Sequence, residues 1–320
     1  MVKRILDCTA SDFKAMSSHD LFESIFASEG RTILAETVAM SPPLIEGVSN
    51  PETCVAFGAD MIVLNVYDVQ KPIIVGVPPS KGEAKEIIPG YELVGVGATI
   101  NDLKRLIGQP VGTKLEPVDP TALVAGKRIT VAPGRVFSIE NMKLAIEQGA
   151  DFIRIMGNPG SGCTYETMIK AIRVAKKEFG GKVLIVSGKG HGMGVKSEMG
   201  FRCTSPERVK DLINAGVDWV VLPAPGTTPG ATVEFVRELV EVAHDNNVLA
   251  SSEMLTSQEG ADVDTIRRFG IYSKMTGADI HHIGDAGYSG MAMPENIMAL
   301  SVVIRGRRHT YRRMAISPIR

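Results

Sequence analysis

Five charged side chains interrupt stretches of this chain that are otherwise apolar: Glu36, Lys114, Glu116, Arg154 and Glu253. A charge in a buried segment is stable only when paired or hydrogen-bonded, so these residues must meet one another or a ligand. Carboxylates that converge with Lys and Arg shift one another's proton affinity toward acid and base roles. The downstream ends of the same and similar stretches add Asn65, Asp68, Asn158, Lys189, His191, Thr227, Thr228, His282 and Asp285. The chemistry that suits this set is making or breaking a bond next to a carbonyl. Glu116 or Glu253 would act as base, and Lys114 and Arg154 would stabilise the enolate. For any single residue of the set, a structural ion-pair network is the competing reading.

Glycine-rich segments supply a second group of candidates. Gly284-Asp285-Ala286-Gly287-Tyr288-Ser289-Gly290 precedes a helix that starts near Pro294, and Thr256 and Ser257 stand in an earlier loop. Small residues let backbone amides approach an anion, and a helix N-terminus adds positive potential. Thr256, Gly287, Ser289 and Gly290 are therefore the expected phosphate or carboxylate site, with a tight turn as the alternative. Residues 157–162 lack the Gly-Lys-Ser/Thr ending of a P-loop, which excludes an NTPase. In Gly188-Lys189-Gly190-His191-Gly192-Met193-Gly194 the glycines alternate and stand about ten residues before the next helix, unlike a dinucleotide fingerprint. No nucleotide cofactor is indicated, and the segment reads as a mobile lid carrying Lys189 and His191. Glu36, Glu253, Asp285 and His282 would suit a divalent cation such as Mg²⁺, Mn²⁺ or Zn²⁺, although no spacing demands one. Of the adjacent pair His281 and His282 only one can face inward, and His19, His244 and His309 read as surface residues.

The elements that must position these residues follow from a phrase that occurs four times: Gly58-Ala59-Asp60, Gly149-Ala150-Asp151, Gly216-Val217-Asp218 and Gly277-Ala278-Asp279. Glycine ends a helix in the left-handed conformation, and the acid occupies the turn before a buried strand. The apolar runs 61–67, 151–156, 218–222 and 279–284 follow these turns, and 32–40, 111–118, 182–187 and 248–255 complete a set of eight. Continuous apolar runs suit strands covered on both faces. Helix starts lie between them, as in Ser205-Pro206-Glu207 and at Thr164. Eight alternations of strand and helix predict an α/β fold, a single (β/α)₈ TIM barrel over residues 1–320, with an open doubly wound sheet as the alternative. Residues 17–29 read as an accessory N-terminal helix over the barrel bottom. An insertion spans about 69–135, with 127–133 as an extra strand. In such a barrel the charged set stands at the strand C-termini, where active sites form.

A formal net charge of -1 gives no overall attraction to nucleic acid or membrane. The basic tail 305–320, with five arginines between Arg305 and Arg313, then reads as a subunit interface or a solvated face, in keeping with a homo-oligomer. Four separated cysteines without a Cys-x-x-Cys pair, together with no signal-like or membrane-length apolar run, point to the cytoplasm. The expected partner is a small anionic substrate.

At Lys189-Gly190-His191, with a barrel and carboxylates at its mouth, the chain resembles the phosphoenolpyruvate mutase and isocitrate lyase superfamily, whose flexible loop carries a Lys and a Gly-His pair. The loop cysteine of the lyases is absent. As a whole the sequence is similar to a bacterial TIM-barrel group of unassigned function. Class I aldolases of this fold carry their Schiff-base lysine on strand six or four, and neither 218–222 nor 151–156 contains one, leaving Lys114 and Lys189 near the mouth. The resemblance and the residues together imply a lyase or isomerase. A metal-dependent hydrolase and a non-catalytic metabolite-binding barrel are the alternatives.

Overall fold

The computed structural model describes residues 2–81, 85–88 and 91–320. Eight strands close a parallel barrel in sequence order: β1 Thr32–Val38, β2 Met61–Asn65, β3 Val111–Leu115, β4 Phe152–Ile155, β5 Leu184–Gly188, β6 Trp219–Pro223, β7 Leu249–Met254 and β8 Ile280–Ile283, with β8 pairing back onto β1. Nearly every strand residue is buried, as expected of strands lined by side chains inside and helices outside. Phe152 and Trp219 pack with ring centroids 5.4 Å apart. Gly112 is required there, because a Cβ on it would lie 2.3 Å from the Phe152 ring.

The four Gly-Ala/Val-Asp turns build one clasp, repeated around the barrel bottom. Each glycine has positive φ, from 84° at Gly277 to 108° at Gly58 and Gly216. Each aspartate precedes an even-numbered strand and accepts the first ladder amide of the odd strand before it. Asp60 takes Ile33 N–H at 2.9 Å, Asp151 takes Val111 at 2.8 Å, Asp218 takes Ile185 at 2.9 Å, and Asp279 takes Ala250 at 2.8 Å. A cationic or imidazole side chain from the helix after each even strand completes the unit. Lys104 of α4 (Ile100–Ile107) pairs with Asp151, Lys176 of α6 (Tyr165–Phe179) with Asp218, and His244 of α8 (Val233–His244) with Asp279. Arg305 and Arg313 of α10 (Pro294–Ala315) both pair with Asp60.

The basic tail is therefore divided: two of its arginines turn inward, while Arg307 and Arg308 stay exposed. Arg305 and Arg313 are buried, and Arg313 also donates to Ile5 O at 2.7 Å while Arg312 donates to Leu6 O at 2.6 Å. Gly306 kinks the helix with φ 75° and ψ 165°, which brings both arginines under the barrel. The accessory helix is present as Ser18–Phe26, with Leu21 and Ile25 buried. His309 is half-buried rather than free on the surface.

Residues 127–133 form no strand. Their backbone bonds are single links to other loops, such as Ile129 N–H to Gly160 O at 3.1 Å, not a ladder. Ala125 N–H to Gly194 O and Lys196 N–H to Leu123 O continue the pattern, so the loops after β3, β4 and β5 knit a roof over one side of the mouth. Within the insertion after β2, Lys85–Ile88 and Tyr91–Leu93 pair antiparallel, a hairpin the sequence pattern did not announce.

Candidate active site

Four strands project charge into the upper barrel. The register sets Lys114 of β3 beside Arg154 of β4, and His282 of β8 beside Glu253 of β7. Glu36 of β1 is the hub: Oε1 accepts from Lys114 Nζ at 3.0 Å, and Oε2 accepts from Arg154 Nη1 at 2.9 Å and His282 Nε2 at 3.0 Å. The other arm of the Arg154 fork binds Glu253, whose Oε1 accepts from Ser251 Oγ at 2.7 Å. Burial alone would raise the proton affinity of Glu36, but Lys114, His282 and Arg154 outweigh it and hold the carboxyl well below its usual range. As expected for adjacent strand positions, His281 faces the other way, onto Gly30 O.

A second, shallower layer faces the mouth. Glu116, one residue past β3, is ion-paired with Arg135 from the insertion, and it accepts the backbone and side-chain N–H groups of Asn158 at 2.8 and 3.0 Å. Asn158 and Asn65 exchange two amide bonds of 3.1 Å, and Asn158 Oδ1 also lies 3.3 Å from Lys114 Nζ. Asn65 Nδ2 then donates to Asp285 at 2.8 Å. Glu36, Glu253 and Glu116 thus meet Lys114, Arg154 and Arg135, while Asp285 has no cationic partner among the described residues. Burial, and then the charge of Glu36, raise its proton affinity.

His191 is half-buried beside this layer. Its Nδ1 accepts Met193 N–H at 3.0 Å, which places the ring proton on Nε2. Burial, with Lys114 and Lys189 next, lowers its pKa to about 4, so the ring is a neutral donor near pH 7.

Lys189 does not join the site. It is 0 % exposed, ion-paired with Glu198 at 2.5 Å and bonded to Cys163 O at 2.8 Å, so it fastens the fifth loop to the fourth instead of riding a lid. Local contacts take up part of the expected anion site. Thr256 Oγ1 lies 2.9 Å from Thr227 O and 2.6 Å from Gln258 Oε1, so its hydroxyl is taken up locally. Gly290 packs onto the end of β1, where a Cβ would lie 2.8 Å from Val38 Cβ, while Gly287 packs against Met291 and Ser289 O accepts from Asn50. The Ala286 amide, just before the expected anion-binding residues, is given to the buried carboxylate of Glu259 at 3.2 Å. Nor does the donor set fit a metal. Arg154 already fills the space between Glu36 and Glu253, and no group of three His, Cys, Asp or Glu among the described residues is arranged to hold a metal ion.

Arg135, Ser251 and Glu259 had no sequence signal, since each lies in a loop or strand without a charge pattern that marks it. No helix among the described residues is long and apolar enough to cross a membrane.

The fold is shared with a solved archaeal fructose 1,6-bisphosphate aldolase, at 16% identity and a TM-score of 0.51, over 90% of this chain and 98% of that one. At that identity the likeness shows the barrel alone. No curated protein matches the chain. Nothing in these matches supports the resemblance to the phosphoenolpyruvate mutase and isocitrate lyase superfamily, and the burial of Lys189 removes the lid on which it stood. One family model, described as a domain of unknown function (DUF7916), matches residues 6–320, and the chain belongs to that family.

Proposed function

We propose that this barrel is a lyase or isomerase that moves a proton on the carbon next to a carbonyl of a small carboxylated or phosphorylated metabolite. The observation that carries the reading is Asp285: a carboxylate left without a cation at the mouth, its proton affinity raised, three hydrogen bonds away from Lys114 through Asn65 and Asn158. A base must be accessible and partly starved of positive charge, whereas Glu116 is tied to Arg135 and Asn158, and Glu253 is sealed behind Arg154. Asp285 therefore takes the base role that the sequence assigned to Glu116 or Glu253. Those two, with Glu36 and Arg154, hold the scaffold.

Lys114 Nζ, which keeps one N–H beyond those given to Glu36 and Asn158, would bind the oxygen on which negative charge develops, and the neutral His191 would add one donor. A 2-oxo acid presents its carbonyl and carboxylate oxygens side by side, so the Lys114 ammonium and the His191 Nε2–H would together meet both. A thermal-shift panel of 2-oxo acids and their phosphorylated relatives tests this. A ligand of the native state must raise the midpoint of the wild type, and Lys114→Met should abolish that rise. Equal shifts in both proteins would overturn the assignment of Lys114.

A further inference from the structure

Glu259 lies in the 3-10 turn Gln258–Gly260 after β7 and is 1 % exposed. Its Oε1 accepts Ala286 N–H, and its buried Oε2 has no hydrogen-bond partner among the described residues. A carboxylate in that position costs stability that an apolar residue of similar size would not. The main chain is nevertheless shaped to receive it. A Cβ on Gly284 would fall 2.5 Å from Oε1, so only glycine lets the turn close on the carboxylate. From the outer side, Asn296 Nδ2 of α10 donates to Glu259 O at 2.9 Å and to Ala261 O at 2.7 Å, which fixes the turn in place. The titratable groups facing Glu259 are His282 on β8 and Asp285 in the loop that follows.

We propose that Glu259 is a positioning residue for the mouth: its carboxylate clamps the Gly284-Asp285-Ala286 turn and, through it, governs how Asp285 is held and charged. The inference rests on Asp285 as the proton carrier. Holding the amide of residue 286 orients the preceding side chain toward Asn65. A second carboxylate behind the turn also opposes ionisation of Asp285, and Asp285 opposes that of Glu259. Burial raises the proton affinity of Glu259 itself, against the backbone amides it accepts and the nearby His282, and Asp285 adds to the rise.

The test needs no substrate. The side-chain carboxyl of Asp285 is followed by ¹³C NMR against pH, its signal assigned by its loss in Asp285→Asn, and exchange of the Ala286 amide is followed alongside. Glu259→Gln keeps an acceptor for Ala286 but removes the charge, so the Asp285 midpoint should fall by roughly half a unit or more. Glu259→Leu removes the acceptor, so Ala286 should exchange about fivefold faster or more, given that a lost hydrogen bond is worth roughly 1 kcal/mol or above. An unmoved Asp285 midpoint in the first variant, or unchanged Ala286 exchange in the second, overturns the proposal. If Asp285→Asn left turnover intact while both shifts appeared, the proton-transfer reading would fail and the coupling would stand.

Discussion

Among the individual residues, the account separates side chains that react from side chains that hold. Asp285→Asn should lower kcat/KM by about 10² to 10⁴ while the melting temperature stays within a few degrees, measured by steady-state kinetics and calorimetry. Because burial and Glu36 raise the proton affinity of Asp285, the wild-type rate should climb with pH through a midpoint above the ordinary aspartate range, and that limb should vanish in the variant. Lys189→Met should do the reverse. It leaves Glu198 buried without its cation, so stability should fall by roughly 3 to 5 kcal/mol in denaturant titrations, while turnover per folded molecule is kept. The sequence exposed Glu36, Lys114, Arg154 and Glu253 because a charge in an apolar strand must be accounted for. It could not rank the carboxylates, since rank depends on partners such as Arg135 that reach the site from an irregular insertion.

Among the elements, the informative unit is the Gly-x-Asp clasp. Three of its parts were legible: the glycine, the acid and the strand that follows. The helix cation was not, because it stands 30 to 40 residues away or more, and nothing local marks Lys104, Lys176 or His244 as its supplier. The four clasps should differ in strength with burial. Asp60→Asn strands two buried arginines and should cost roughly 3 to 5 kcal/mol, whereas removing the half-exposed Lys176 partner of Asp218 should cost about 1 kcal/mol or less. The His244 clasp is pH-dependent. Its hydrogen bond to Asp279 raises the imidazole's proton affinity against the opposing effect of burial, so its contribution is complete below the unfolded value near 6.5 and is lost as pH rises through the higher folded value. The melting-temperature gap between wild type and His244→Gln should accordingly narrow between pH 6 and pH 9.

For the whole molecule, alternating apolar runs and four equivalent turns sufficed to predict a closed eight-stranded barrel, because period and turn chemistry are local properties. The roof of loops over β3 to β5 and the burial of Arg305 and Arg313 depend on contacts between distant segments, and there the sequence pointed elsewhere. The result is a molecule whose bottom is clasped four times and whose mouth carries Asp285, a carboxylate without a cationic partner among the described residues. The most direct test is solvent exchange in D₂O, in which NMR follows deuterium entering the carbon next to the carbonyl of 2-oxo acids that the wild type binds. The account predicts exchange catalysed by the wild type and lost in both Asp285→Asn and Lys114→Met. Exchange at the wild-type rate in Asp285→Asn would contradict it.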